Sequence, residues 1–200
     1  CAHLPPACPL LFVSTDYVFD GEAPPYRETD PTHPVNVYGA SKVASELITL
    51  SRPGAIVLRV PLLVGAGPTL AQSGFIGQMV ESLRDPAPQS VDDVLMRFPT
   101  WIGDVAEGIA FLLAVKGSGI YHLSGARGAT RFAWTREVAG ILGLDASHLS
   151  PSTTVIPRRA TRPPNSQLAD PRIHDAGFRS CTDFTDVVRD VLRDLGLRDG

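Results

Sequence analysis

The chain has 200 residues, 44% of them apolar and 20% charged, with a formal net charge of -3. That length suits one large domain or a domain and a half around a buried core. So small a charge gives no reason to expect nucleic acid or an anionic membrane as a partner. No apolar run approaches the roughly 20 residues that span a bilayer. No signal peptide is visible, although a missing N-terminus would hide one. Cys1, Cys8 and Cys181 have no metal-ligand spacing, so free or buried thiols in a reducing cytoplasm are the expectation. His3, His33, His122, His148 and His174 form no helical pair, so no metal site is expected.

In chain order, Leu10 to Val13 is a short apolar run that reads as a buried strand. Residues 20–36 form a long, Pro-rich polar loop, too long to be idle in a compact domain. Tyr38 to Leu50 is expected to be a helix, with Val43, Leu47 and Leu50 on one face and Pro53-Gly54 as its stop. Ala55 to Val64 is nearly all apolar and reads as a strand covered on both faces, broken or bulged at Pro61. Helices are expected over 69–84, over 104–115 with a start near Thr100, over 131–143 and over 183–195. Ile120 to Ser124 reads as a strand and Thr153 to Ile156 as a short one. Strands alternating with helices mean a parallel α/β sheet.

The chemistry concentrates in residues 14–42. Ser14, Thr15 and Asp16 stand at the carboxyl end of the first strand, the edge where open parallel sheets bind ligands. Tyr38 and Lys42 are four residues apart on a helix and face the same way. A phenol beside an ammonium is a stronger acid than a free phenol, and general acids work best with a pKa near the operating pH. The bland alternative is a half-buried helical tyrosine with a surface lysine.

This arrangement resembles the short-chain dehydrogenase/reductase superfamily, which uses a Ser/Thr, a Tyr-x-x-x-Lys pair and a nicotinamide cofactor. Ser14-Thr15-Asp16-Tyr17-Val18-Phe19-Asp20-Gly21, Pro25-Tyr26-Arg27-Glu28 and Pro34-Val35-Asn36-Val37-Tyr38-Gly39 narrow the match. They look like the dTDP-4-dehydrorhamnose reductase family of extended short-chain reductases. Val57-Leu58-Arg59-Val60-Pro61 and Arg97-Phe98-Pro99-Thr100 are similar to a relative, the regulatory beta subunit of methionine adenosyltransferase. Arg162-Pro163-Pro164-Asn165-Ser166-Gln167-Leu168 fits both. The resemblance covers about residues 10–196 and implies the second half of a Rossmann-like, doubly wound sheet with a smaller substrate domain. Residues 1–64 are then expected to belong to the nucleotide-binding domain. Residues 65–200 are expected to be mainly substrate domain, centred on 65–100 and 125–170, with segments returning to the sheet.

A reductase of this type should open with a strand, a glycine-rich turn and a helix that hold the pyrophosphate. No Gly-x-x-Gly-x-x-Gly occurs, and the chain starts Cys1-Ala2-His3. The expectation is a C-terminal fragment whose parent carried roughly 90 more residues, about three strand-helix units. Such a piece alone should bind NADP weakly or not at all and be poorly soluble, with a bare strand edge and apolar face.

By resemblance, the cofactor is NADP(H) or NAD(H) and the substrate a nucleotide-linked 4-keto sugar. Tyr38 would protonate the ketone oxygen, and Thr15, with Ser14, would hydrogen-bond it. Lys42 would bond the nicotinamide ribose, and Leu63 would touch the cofactor through its backbone. Asp16 either relays a proton or bonds substrate, or it caps the turn at Asp16-Tyr17-Val18. Arg162, Asn165 and Trp101 are candidate substrate contacts. Arg158, Arg159 and Arg162 otherwise read as a solvated basic loop, and Trp101 as core or partner surface. Leu62 stands where rhamnose-forming reductases place a tryptophan. Three readings follow: a reductase, a cofactor-binding regulatory subunit, or an inactive remnant. A homodimer or a partner subunit fits the first two.

Overall fold

The computed structural model describes residue 5 and residues 8–155, 159–179 and 181–197. Cys1, His3, Ile156 and Arg158 therefore lie outside the described residues. The elements run β1 (Leu11–Thr15), α1 (Val37–Leu50), β2 (Ile56–Val60), β3 (Leu63–Val64), α2 (Gly74–Arg84), β4 (Gln89–Asp92), β5 (Met96–Arg97) and β6 (Thr100–Trp101). They continue with α3 (Ile102–Ala114), β7 (Gly119–His122), β8 (Ala129–Thr130), α4 (Arg131–Leu142), β9 (Leu149–Ser152), α5 (Pro171–Asp175) and α6 (Phe184–Asp194). Two units emerge: Cys1–Pro61 with Gly103–Ser124 and Arg159–Cys181, and Leu62–Ile102 with Gly125–Arg158 and Thr182–Gly200.

The first unit is built on a parallel sheet in the order β1-β2-β7. All five residues of β2 are buried, as its apolar run requires for a central strand. Ile56, Leu58 and Val60 point to one face and pack with Val105 and Leu112 of α3 and Ile173 of α5. Each such aliphatic side chain stabilises the fold by about 1.5–3 kcal/mol through burial. Helix α1 packs on β1 and β2. Asn36 starts it: its Oδ1 accepts the Gly39 amide at 2.8 Å, the N-cap geometry. The β7 edge is closed by Arg172, whose Nη1 and Nη2 donate to the carbonyls of Ile120 and Ser118 at 2.6 and 2.8 Å.

The long loop is pinned rather than loose. Tyr26 stacks on Phe19 with centroids 4.2 Å apart. Its hydroxyl accepts the amides of Gly21 and Ala23, both at 3.0 Å, and donates to Asp20. Its backbone pairs with 167–169, where Tyr26 N donates to Gln167 O and Ala169 N to Tyr26 O, both at 2.8 Å.

The second unit packs α2, α4 and α6 around Ile76, Met79, Val80, Trp134, Val138, Phe184 and Val188. Trp134 Nε1 donates to Arg97 O at 3.2 Å, which satisfies its one buried donor. The expected break at Pro61 is present, with β2 ending at Val60 and β3 pairing with β6 instead. Helix α2 starts five residues later than expected. Ser73 bonds Thr69 O and the Gly67 amide, and Gly74 has φ +56, so 69–73 form a turn. The expected strand at 153–156 is displaced to Leu149–Ser152, which pairs with Gln89–Asp92 in parallel. That pairing was not anticipated, because QSVD and LSPS lack the alternation of a half-buried strand.

Candidate active site

The site begins where β1 ends. Thr15 caps the 3-10 turn at Asp16–Val18, its Oγ1 accepting the Tyr17 amide at 3.2 Å. Thr15 thus caps this turn. The Thr15 hydroxyl donates to Asp16 Oδ1 at 3.0 Å, and Ser166 donates to Asp16 Oδ2. Asp16 is 6% exposed and Ser166 2%, so this carboxylate is a buried acceptor of two hydroxyl protons.

Helix α1 meets that turn at its first residues. A Cβ on Gly39 would lie 2.1 Å from Tyr17 O and 2.9 Å from Pro34 Cβ, so only glycine allows the approach. Beside it, the Tyr38 ring stands edge-on to Tyr17 with centroids 6.1 Å apart. Tyr38 is 52% exposed, so its phenol is not packed into the core. One turn on, Lys42 Nζ lies 5.8 Å from the Tyr38 ring centre and 4.7 Å from that of Phe12. It donates to Val13 O at 3.1 Å. The pair therefore sits against the residues that flank Ser14-Thr15-Asp16 on either side.

Ser14 takes a different course. It is 3% exposed, and its hydroxyl donates to Glu46 Oε1. The sheet register explains why: Ser14 pairs with Arg59 on β2, and Arg59 with His122 on β7. Arg59 Nη2 and Nε reach the Glu46 carboxylate at 2.7 and 3.0 Å. Arg59 Nη1 faces His122 Nε2 at 3.3 Å, and His122 Nδ1 meets Ala169 O at 2.8 Å. Burial and the Arg59 charge lower the His122 pKa to about 4. Glu46, Arg59, His122 and Ser166 were not singled out as site residues from the sequence. The one available signal was Glu46, the sole acid in α1.

The segment from Thr161 to Ala169 is fastened across this unit. Asn36 Nδ2 donates to Thr161 O at 2.9 Å, and Gly21 abuts Pro163 and Pro164. Arg162 is exposed, while Asn165 Oδ1 accepts the Gln167 amide at 3.2 Å. Ser14, Thr15, Asp16, Tyr38, Lys42, Arg162 and Asn165 all belong to the first unit, and Leu63 and Trp101 to the second. Leu63 is 41% exposed on β3. Trp101 is half-buried against the second unit's core. Among the described residues, no cluster of His, Cys, Asp or Glu could hold a metal, and no helix is long and apolar enough to cross a membrane.

The chain is 36% identical over 193 residues to methionine adenosyltransferase 2 subunit beta of Danio rerio, covering 92% of this chain and 59% of that protein. It is 37% identical over 191 residues to a dTDP-4-dehydrorhamnose reductase of Streptomyces griseus, covering 88% and 61%. It thus spans about three fifths of the length of these relatives. Its fold matches a dTDP-4-dehydrorhamnose reductase from Bacillus anthracis solved in complex with NADP, with a TM-score of 0.82 at 24% identity over 92% of this chain and 65% of that one. The model of the RmlD substrate binding domain matches residues 5–197, and the chain belongs to that family of dTDP-4-dehydrorhamnose reductase-like proteins.

Proposed function

We propose that this chain carries the proton-donating and substrate-holding part of an NAD(P)H-dependent reductase of a nucleotide-linked 4-keto sugar. One observation carries the reading. A half-exposed Tyr38 stands one helical turn from Lys42, against the turn that follows Thr15. The residues present fit the nicotinamide-ribose end of a dinucleotide. Lys42 Nζ has three protons and gives one to Val13 O, which leaves it able to donate to ribose hydroxyls. Leu63, on β3, is 41% exposed. The bound cofactor would supply hydride to the ketone carbon.

The chain's own residues handle the oxygen. Tyr38 donates its proton to the developing alkoxide, and Thr15 hydrogen-bonds the same oxygen to fix its position. Donors placed in advance at such an oxygen are worth about 3–4 kcal/mol each. Lys42 keeps a positive charge beside the phenol ring. Asp16 takes part through Thr15. Within the first unit, Arg162 and Asn165 meet the diphosphate or sugar hydroxyls. A cytoplasmic setting and a homodimer or partner subunit belong to the same reading.

A second reading has its own support. The similarity to the beta subunit is as high as that to the reductase, and Leu62 replaces the tryptophan expected in rhamnose-forming reductases. A regulatory subunit would bind the dinucleotide and turn over little. The assay is NADPH oxidation with a dTDP-4-keto sugar, run with a cofactor-binding segment fused ahead of this chain. Turnover that Tyr38→Phe lowers by about a hundredfold or more supports the reductase. Turnover unchanged by that substitution removes Tyr38 as the acid, and cofactor binding without turnover favours the regulator.

A further inference from the structure

We propose that Ser166 is a positioning residue for Thr15, acting through Asp16. The inference rests on the reductase reading and assigns a function to a residue that touches neither reacting atom. The Asp16 carboxylate accepts one hydroxyl proton on each oxygen, from Thr15 on Oδ1 and from Ser166 on Oδ2. Thr15 has a single hydroxyl proton. Its oxygen already accepts the Tyr17 amide, so that proton is the group with which it bonds a substrate oxygen.

In the arrangement described, the Thr15 proton points at Asp16. To bond a ketone oxygen it must turn away by rotation about Cβ–Oγ1, with no covalent bond made or broken. Turning away withdraws a donor from a buried, charged acceptor, and such bonds are among the stronger ones in proteins. Ser166 lowers that cost. It keeps one charge-assisted bond on Asp16 when the Thr15 proton leaves. Without it, Asp16 would hold the Thr15 proton more tightly, in competition with the substrate.

Ser166 is also well placed to report on the segment it belongs to. That segment is tied at Thr161 to Asn36, at Gln167 and Ala169 to Tyr26, and at Ala169 to His122. It carries Arg162 and Asn165. The Ser166–Asp16 bond therefore links the segment proposed to hold the sugar nucleotide with the hydroxyl proposed to hold its ketone.

The test uses the whole chain and two readouts. The Asp16 carboxyl carbon is titrated by NMR in wild type, Ser166→Ala and Ser166→Thr. Loss of a donor to the ionised form moves a carboxyl titration upward, so Ser166→Ala is expected to titrate higher than wild type, and Ser166→Thr to return to it. An unchanged Asp16 titration in folded Ser166→Ala overturns the proposal. Should Ser166→Ala not fold, Ser166→Cys replaces it, because a thiol is only a weak donor; the same upward shift is expected, and its absence overturns the proposal. In the NADPH and keto-sugar assay, Ser166→Ala is expected to lower kcat about tenfold with KM within about twofold, and Ser166→Thr to restore it. A shifted titration with unchanged turnover overturns the positioning role. The turnover assay is run with a cofactor-binding segment fused ahead of this chain; wild type that does not turn over in that form removes the reductase reading instead, and the titration alone then decides the Ser166–Asp16 bond.

Discussion

Arg59 and His122 face each other 3.3 Å apart on adjacent strands, with His122 wholly buried. The guanidinium can only donate, so His122 Nε2 accepts and the ring proton sits on Nδ1, directed at Ala169 O. The imidazole is thus neutral, which agrees with its pKa of about 4. Protonation would set two positive charges side by side in a dry interior. Together with Glu46 and Ser14, the pair forms a polar layer beneath the carboxyl end of β1.

That lowered pKa makes stability depend on acid. The folded value of about 4 lies below the ordinary 6.5, so the unfolded chain binds more protons between those limits. Stability from this group is complete above about pH 6.5 and is lost as pH falls toward 4, by up to about 3 kcal/mol. Urea unfolding at pH 7 and pH 5 should show the loss in wild type. His122→Gln, which has no ring to protonate, should flatten that part of the pH dependence; an equally steep loss in the variant would contradict it.

Glu46 is the only carboxylate bonded to the buried Arg59 among the contacts described. Glu46→Gln leaves that cation uncompensated, and breaking such a pair costs about 3–5 kcal/mol. Glu46→Leu combined with Arg59→Met removes both charges and should recover much of the loss. Chemical denaturation of the single and double variants measures this. A double variant no more stable than Glu46→Gln would show that the layer is held by its shape and not by its charges.

Much of the first unit was legible in the residues, and the reasons are local. The apolar runs of β1 and β2, the cap at Asn36 and the break at Pro61 each act within a few positions. Thr15, Tyr38 and Lys42 stand out in the sequence as residue types at the spacing that the proposed reductase reading uses. The polar layer did not, because Ser14, Arg59 and His122 become neighbours only through strand register. Ser166 lies 150 residues from Asp16, so nothing nearby in sequence marks it. The late start of α2 was hidden for a different reason. Residues 69–73 contain no Gly or Pro to stop a helix, but a Cβ on Gly77 would lie 1.9 Å from Leu70 O, and that close approach is made by a turn.

Gly39→Ala should separate the proposed acid from its partners. The new methyl group would overlap Tyr17 O and Pro34 Cβ, and both belong to rigid backbone or ring. Forcing extra volume into such a contact costs about 1–3 kcal/mol. The strain falls between the start of α1 and the turn after Thr15, so amide exchange at Tyr17 and Val18 should accelerate more than exchange in β2. Equal protection throughout would mean that the turn adapts without loss.

Tyr26→Phe separates the hydroxyl from the ring. Phe keeps the stack on Phe19 but leaves the Gly21 and Ala23 amides without their acceptor and Asp20 without its donor. Unmade bonds of this kind cost about 1–3 kcal/mol in total when water reaches the loop in part. Faster exchange at those two amides, with the rest of the unit unchanged, is the expected signature. In wild type, burial pushes the Tyr26 phenol up and the same bond holds the Asp20 carboxyl low. The raised phenol stabilises the fold fully below the ordinary tyrosine pKa of about 10, and that contribution fades as pH climbs through the folded value. The carboxyl works in the opposite sense, with stability present above about pH 4 and lost in acid. Ultraviolet titration should therefore find a phenol ionising above the ordinary tyrosine range in wild type and lose it in Tyr26→Phe; a titration unchanged by the substitution would contradict the assignment.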